Sequence, residues 1–205
     1  MSREIIGILR GVQPHEVLDI GRALVAAGID RIEVPLNSPD PLRSIEILAS
    51  ELSEQATLGA GTVLDASQVL EVHNVGGTLV VSPDTNPAVI EKTKELGMHS
   101  FPGVATPTEC FTALRYGADG LKFFPAFVIG RSGFAAISAV LPKGTKTYAV
   151  GGADTSNFAD WFGVGVTGFG IGSGIYKPGM SAQDVASRAA NIVAAYDASA
   201  SSSRS

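Results

Sequence analysis

The chain has 205 residues, of which 45% are hydrophobic and 17% charged, so it can bury a sizeable core and shows no compositional sign of disorder. This length fits one (β/α)8 barrel near the lower size limit of that fold, or one doubly wound α/β domain, whereas two full domains would be cramped. The net charge of -5 argues against a nucleic-acid partner, because phosphate binding depends on clustered Lys and Arg.

Cysteine content and the length of the apolar runs indicate the cellular compartment in which the protein works. The single cysteine, Cys110, excludes an internal disulfide and a thiolate-cluster metal site, and it indicates a reducing environment. No secretory signal is readable at the start, and no apolar run reaches the roughly 20 residues of a membrane span. We therefore expect a soluble, cytoplasmic protein with no membrane partner.

Short apolar runs alternate with segments of helical periodicity, which is typical of βαβ units that form a parallel sheet. The predicted strands cover residues 5–9, 31–35, 57–60, 78–81, 98–101, 120–123, 147–150 and 168–171. The predicted helices cover residues 14–27, 39–52, 66–75, 87–96, 107–116, 133–141, 157–162 and 182–196. Eight strands in a chain of this length favour a single (β/α)8 TIM barrel over residues 1–198, followed by a disordered tail at 199–205.

Prolines and glycines mark several predicted helix boundaries. Ser38 before Pro39, and Asn86 before Pro87, have the pattern of an N-cap followed by a proline in the first turn. Glycines at positions 28, 97 and 117 stand where helices should end before the next strand.

Lys122 interrupts an apolar strand, in the run GLKFFP. Functional groups of a parallel barrel gather towards the carboxyl ends of the strands. Burial disfavours the charged ammonium, and the resulting free amine can attack a ketone to form an imine. The alternative is a lysine whose stem packs in the barrel while its ammonium reaches the mouth.

Two further charges accompany the lysine. Glu33 has an apolar neighbour on each side in RIEVPL, so it should face the barrel interior, as an acid/base partner of Lys122 or as half of an ion pair that only fixes packing. Arg10 follows the first strand, where its guanidinium could bind a carboxylate. Arg10 could equally be a surface residue or the ion-pair partner of Glu33.

Glycine-rich turns follow three of the strands. The turn that ends at Thr62 lets backbone approach a ligand and offers a hydroxyl. The turns containing Gly152, and Gly172 with Ser173, follow strands seven and eight, where barrels of this kind commonly bind phosphate, although tight-turn geometry alone could explain them. The three histidines show no spacing typical of a metal site, so no metal is expected.

The motifs, taken in order, resemble those of the bacterial KDPG/KHG aldolases. They are ILRG at 8–11, EVPLNSP at 33–39, GAGTV at 59–63, SP at 82–83, PG at 102–103, LKFFPA at 121–126, AVGG at 149–152 and GIGS at 170–173. The resemblance runs from about residue 4 to residue 195. It implies a lyase that needs no metal or other cofactor, commonly a homotrimer, acting on a phosphorylated 2-keto-3-deoxy sugar acid.

The resemblance also implies a role for each site residue. Lys122 would form the Schiff base with the C2 ketone, and Glu33 would take the C4 hydroxyl proton as the C3–C4 bond breaks. Arg10 and Thr62 would hold the pyruvate-like end of the substrate. The phosphate would be bound by three residues of the last two turns, Gly152, Gly172 and Ser173.

The second strand indicates a branch of the family. Gluconate-specific members usually read EVTLRT there, with an arginine in the place of Asn37, whereas galactonate-type members read EIPLNSP. The expected reaction is therefore cleavage of 2-dehydro-3-deoxy-6-phospho-D-galactonate to pyruvate and D-glyceraldehyde 3-phosphate, in galactonate catabolism. Three alternatives stay open: gluconate specificity, a phosphate-binding barrel isomerase or epimerase, and a barrel that only binds a sugar phosphate.

Overall fold

The computed structural model describes residues 3–202, and within them it has nine strands and eight helices. The strands are β1 (Ile5–Ile8), β2 (Arg31–Pro35), β3 (Thr57–Gly61), β4 (Leu79–Val81), β5 (His99–Phe101), β6 (Gly103–Val104), β7 (Leu121–Phe123), β8 (Thr147–Val150) and β9 (Gly168–Ile171). The helices are α1 (Val17–Ala27), α2 (Pro41–Leu52), α3 (Ala66–Asn74), α4 (Pro87–Glu95), α5 (Pro107–Arg115), α6 (Ala126–Ser138), α7 (Phe158–Gly163) and α8 (Ala182–Ser202). None of these helices is long and apolar enough to cross a membrane.

The strands form one parallel sheet in the order β5-β4-β3-β2-β1-β9-β8-β7-β6. The two ends of that order, β5 and β6, are consecutive in the chain and separated only by Pro102. The sheet therefore closes on itself, and β5 with β6 makes one interrupted barrel strand. This confirms the predicted (β/α)8 barrel. The short strand β6 was not predicted.

Several helix boundaries differ from the prediction, most of all those of α2 and α6. Helix α2 begins at Pro41 with Asp40 as its N-cap residue, so the prediction for Ser38 is wrong: its hydroxyl instead accepts the backbone N–H of Gly11. Helix α6 begins at Ala126, seven residues earlier than predicted, and it has non-helical backbone at Gly130. Asn86 is confirmed as an N-cap, since its side chain accepts the backbone N–H of Ala88.

Helix α8 continues past its predicted end to Ser202, so residues 199–202 are helical where a disordered tail was expected. Hydroxyls in this segment satisfy carbonyls one turn back: Ser201 donates to the carbonyl of Asp197, and Ser202 donates to that of Ala198. The remaining part of the predicted tail, residues 203–205, lies outside the described residues.

The core has two layers that follow the alternation of strand side chains. Outward-facing residues pack against the helices in the larger cluster, which includes Ile32, Val34, Leu121 and Phe123. The smaller cluster fills the barrel interior and consists of Ile6, Ile8, Leu79, Val81, Phe101, Tyr148 and Val150. Because successive side chains of a strand point to opposite faces, a residue flanked by two outward-facing neighbours points into the barrel.

A polar network closes the end of the barrel at which the strands begin. The Glu4 carboxylate accepts hydrogen bonds from Tyr148 Oη at 2.5 Å, from Arg31 Nη1 at 2.5 Å and from Lys146 Nζ at 3.0 Å. Burial alone raises the pKa of the Glu4 carboxyl, but the hydrogen bonds from Tyr148 and Lys146 and the charge of Arg31 outweigh it and hold that pKa below its usual value.

Candidate active site

The strand alternation sends Lys122 and Glu33 into the barrel. Lys122 lies between Leu121 and Phe123 on β7, and Glu33 lies between two outward-facing apolar residues on β2. Lys122 is 7% exposed and Glu33 is 2% exposed, so both ionisable groups are buried in the fold. Burial of two such groups is costly unless they are paired or used, and this separates them from ordinary surface charges.

Burial lowers the pKa of the Lys122 ammonium, and the charge of Arg10 lowers it further, while the Glu33 carboxylate opposes this effect. The Lys122 Nζ lies 4.7 Å from the centroid of the Phe124 ring, so one face of the amine is covered by an aromatic side chain. A small apolar cavity of about 10 Å³, lined by residues that include Ile6, Tyr148 and Val150, adjoins the lysine. These surroundings favour the neutral amine that attack on a carbonyl requires.

Burial raises the pKa of the Glu33 carboxyl to about 7, although the charges of Lys122 and Arg10 both lower it. One of its oxygens, Oε2, is buried without a hydrogen-bond partner among the described residues. A carboxyl group with a pKa near neutrality can both take and return a proton at neutral pH. The unpartnered oxygen is available to a substrate hydroxyl.

Gly61, the last residue of β3, provides the space for this carboxylate. A Cβ atom built at Gly61 would lie 1.8 Å from Glu33 Oε2 and 2.4 Å from Oε1, so the carboxylate lies directly against the glycine backbone. The next residue, Thr62, has a φ of 58°, a left-handed conformation that residues other than glycine rarely adopt. Such strain often marks a ligand site.

Two loops meet at the barrel mouth beside these residues. Arg10 follows β1, and its Nη1 donates to Asn37 Oδ1 at 2.6 Å. The backbone N–H of Gly11 donates to Ser38 Oγ at 2.9 Å. Arg10 is exposed, and its positive charge reaches both Lys122 and Glu33, since it lowers the pKa of each.

The predicted phosphate-binding residues stand at the same end of the barrel. Gly152, with a φ of 87°, follows β8, and its carbonyl accepts a hydrogen bond from Asn157 Nδ2 at 2.9 Å. Gly172 and Ser173 directly follow β9. Of the seven residues predicted from the sequence, Glu33 and Lys122 therefore lie at the middle of barrel strands, and the other five follow the carboxyl ends of strands, where (β/α)8 barrels carry out their chemistry.

Two contributors were not predicted. Phe124 covers the lysine amine, and Gly61 receives the Glu33 carboxylate. Both stood in motifs that were recognised, but neither carries a functional group that would single it out.

Within residues 3–202, no group of three or more His, Cys, Asp or Glu side chains is arranged to hold a metal ion.

Comparison with known proteins identifies the family. Residues 2–190 match the family model for KDPG and KHG aldolase. A probable 2-dehydro-3-deoxy-6-phosphogalactonate aldolase of Rhizobium meliloti (strain 1021) is 52% identical over 198 residues, covering 97% of this chain and 93% of the relative. A solved structure described as native KDPGal is 40% identical, covers 98% of both chains and superposes with a TM-score of 0.96.

A more distant structure belongs to a KDPG aldolase from Legionella pneumophila, in which pyruvate was captured at low pH as a covalent carbinolamine intermediate. It is 27% identical, has a TM-score of 0.81, and covers 96% of this chain and 94% of that one. With the family match over nearly the whole chain and the 52% identical relative, the chain belongs to the KDPG and KHG aldolase family and is an aldolase, that is, a lyase.

Proposed function

We propose that this aldolase forms a Schiff base through Lys122 and cleaves 2-dehydro-3-deoxy-6-phosphogalactonate to pyruvate and D-glyceraldehyde 3-phosphate. The observation that carries the proposal is the pairing of a buried lysine of lowered pKa with a buried glutamate whose pKa is about 7. Both side chains are buried and point into the barrel, so a single substrate bound at the mouth would contact both.

The mechanism uses the lowered pKa of Lys122 and the raised pKa of Glu33. The free-amine form of Lys122 attacks the C2 carbonyl to give a carbinolamine. Glu33 in its protonated form donates its proton to the carbinolamine hydroxyl, which leaves as water, so that an iminium ion and the Glu33 carboxylate remain. Glu33 then takes the proton of the C4 hydroxyl, the C3–C4 bond breaks, and its electron pair enters the iminium to leave an enamine. Glu33 returns the proton to C3, and hydrolysis of the resulting imine releases pyruvate and the free lysine.

The ends of the substrate would be held by the remaining site residues. The guanidinium of Arg10 and the hydroxyl of Thr62 suit the carboxylate beside the C2 ketone. Backbone N–H groups of Gly152, Gly172 and Ser173 suit the phosphate, because glycine turns let a ligand approach the backbone closely. Support for lysine chemistry comes from the Legionella relative, in which pyruvate was captured covalently.

The choice of the galactonate epimer rests on similarity. The relative that is 52% identical bears the galactonate name, and Asn37 occupies the position at which gluconate-specific enzymes usually have arginine. Gluconate specificity is the second candidate, because separation of two epimers depends on the placement of a few hydroxyl contacts.

The decisive experiment measures pyruvate release from the phosphorylated galactonate and from its gluconate epimer, with a chelator in both assays. We expect faster cleavage of the galactonate epimer and no effect of the chelator. Equal rates would contradict the epimer assignment but keep the aldolase. Inhibition by the chelator would contradict the lysine mechanism.

A substitution tests the nucleophile directly. Lys122→Arg retains the positive charge but cannot form an imine, so we expect turnover to fall to background while the far-UV circular dichroism spectrum is unchanged. Borohydride reduction in the presence of pyruvate should add a stable mass to a Lys122 peptide of the wild type and not to the variant. A variant that retained the wild-type rate would refute the mechanism.

Assembly and location are also part of the proposal. A contact between subunits is supported by the strongly exposed apolar side chains of Phe127 and Val128, at 72% and 68% exposure. The number of three subunits is what the family resemblance implies. Sedimentation equilibrium should give three times the chain mass of 21.1 kDa, and a monomer mass would contradict it. We place the enzyme in the cytoplasm, where phosphorylated sugar acids are made and consumed.

A further inference from the structure

The mouth of the barrel contains an arginine held by a neutral partner. Arg10 Nη1 donates to Asn37 Oδ1 at 2.6 Å, and because a guanidinium has donors only, the amide must present its oxygen. A second bond joins the same two loops, from the backbone N–H of Gly11 to the hydroxyl of Ser38 at 2.9 Å. Ser38 is itself buried, so one of the two hydrogen bonds between the loops is made by a side chain that is held in the protein interior.

The partner of Arg10 differs from those of most other arginines in the described part of the chain. Five of them form a salt bridge with a carboxylate: Arg3, Arg22, Arg31, Arg43 and Arg131. Arg10 forms none with any carboxylate between residues 3 and 202, although it is fixed at a short distance by Asn37. Its orientation is therefore set while its full positive charge is kept.

We propose that Asn37 is a positioning residue that orients the Arg10 guanidinium over the barrel mouth without neutralising it, so that the charge stays available for the carboxylate of a 2-keto acid. This inference rests on the proposed function, in which Arg10 binds that carboxylate. An aspartate in the same place would offer the same acceptor geometry, but it would pair with Arg10 and repel the incoming anion.

The charge of Arg10 also reaches the catalytic pair. This charge lowers the pKa of Glu33 and of Lys122. Glu33 and Lys122 also shift the pKa of each other, since the lysine lowers that of Glu33 and the glutamate raises that of Lys122. A carboxylate at position 37 would cancel part of the Arg10 field. The pKa values of both Glu33 and Lys122 should then rise, and the acid limb of the pH–rate profile should move to higher pH.

The test compares Asn37→Asp with Asn37→Ala. If Asn37 only held the loops together, Asp would serve as well as Asn, and Ala would be the worse variant. If Asn37 keeps the charge available, the order reverses: we expect about a tenfold increase in KM for Asp and about a threefold increase for Ala, with kcat changed much less in both. Asn74→Asp, at the far end of the barrel on α3, is the control for the change in net charge.

Borohydride trapping separates this inference from the proposed substrate. The concentration for half-maximal trapping should rise more for pyruvate than for hydroxyacetone in Asn37→Asp, because only pyruvate has a carboxylate that depends on the free charge of Arg10, whereas the higher pKa of Lys122 affects both ketones. Equal pyruvate dependence in Asp and wild type, or a stronger effect of Ala than of Asp, would overturn the role of Asn37. A wild type that traps pyruvate but cleaves neither sugar acid would overturn the proposed reaction alone, and failure to trap pyruvate would overturn both.

Discussion

Folding makes the carboxyl group of Glu33 a weaker acid than it is in water. Its pKa rises from 4.5 to about 7 on folding, mainly through burial, so the folded chain binds a proton that the unfolded chain releases. Because the folded-state pKa is the higher one, the ionisation of Glu33 does not destabilise the fold below about pH 4.5, and the loss of folding stability is complete once the pH exceeds about 7. A shift of this size corresponds to about 3 kcal/mol of stability lost as the pH rises through that window.

Glu33→Gln should remove this pH dependence. Relative to wild type, the free energy of unfolding of the variant should increase by about 3 kcal/mol between pH 4.5 and about pH 8, while kcat falls by roughly 100-fold or more because proton transfer is lost. Urea denaturation at both pH values and steady-state kinetics measure the two effects. Parallel stability curves for the two proteins would show that Glu33 does not titrate as described.

Gly61→Ala tests whether the carboxylate requires the glycine. The new Cβ would overlap Glu33 Oε2 at 1.8 Å, so the carboxylate must move. A displacement of about 1 Å can cost 100-fold in rate, so we expect kcat to fall by roughly 10- to 100-fold while pyruvate is still trapped on Lys122. Gly163→Ala is the matched control, because a Cβ there meets no atom within 4 Å. Unchanged kcat in Gly61→Ala would contradict this role.

Residues of the candidate site differed in how well the sequence predicted them. Lys122 and Glu33 were recognisable because a charge inside an apolar strand is unusual. The contact of Gly61 with Glu33 could not be recognised from the sequence, because it depends on which residue of the neighbouring strand a side chain reaches. The bond from Arg10 to Asn37 is of the same kind: the two residues are 27 positions apart and meet only through the pairing of β1 with β2.

At the scale of elements, periodicity predicted the strands better than turn chemistry predicted the helix starts. The bounds of β2, β8 and β9 agree with the prediction residue for residue. The Ser38-Pro39 pair has the sequence of an N-cap, but Ser38 contacts another loop, so helix α2 starts later. Local sequence cannot show which tertiary partner competes for a hydroxyl group.

Helix α6 offers a matched pair of glycines for a test of backbone strain. Gly130 has φ 67° and ψ 164°, a conformation nearly restricted to glycine, and no atom lies within 4 Å of a Cβ built there. Gly130→Ala should therefore destabilise the protein by about 1–3 kcal/mol through the backbone alone. Gly133 has no positive φ, so Gly133→Ala should be neutral or stabilise by up to about 1 kcal/mol. Thermal denaturation of both variants would contradict this if the two shifts were equal.

At the scale of the whole molecule, the polar network around Glu4 ties strands from different parts of the sequence. It joins the residue before β1 to Arg31 on β2 and to Tyr148 on β8. The pKa of Glu4 is lowered in the folded state, so the stabilisation is complete above the ordinary pKa of 4.5 and is lost as the pH falls through the folded-state value. The network should make the barrel sensitive to acid.

Tyr148→Phe should destabilise the protein by about 1–3 kcal/mol at neutral pH, because it removes a hydrogen bond to a carboxylate. The loss should shrink as the pH falls through the folded-state pKa of Glu4, because a protonated carboxyl accepts a weaker hydrogen bond than a carboxylate does. Urea denaturation at about pH 7 and at a series of lower pH values measures this difference. Tyr116→Phe, at an exposed position on the barrel surface, is the control and should change neither value. A loss that did not depend on pH would assign the effect to packing instead.

The two ends of the described chain meet at the base of the barrel. Arg3 and Asp197 share two hydrogen bonds of 2.7 Å, and the backbone N–H of Glu4 donates to Tyr196 Oη. The eight strand-and-helix units thus form a ring with no structural first member. Joining these ends by a short linker and opening the exposed turn at 142–144 would give a circular permutant in which every strand keeps its two neighbours. The order in which the strands that carry Glu33 and Lys122 are synthesised is then a property of the gene and not a requirement of the barrel.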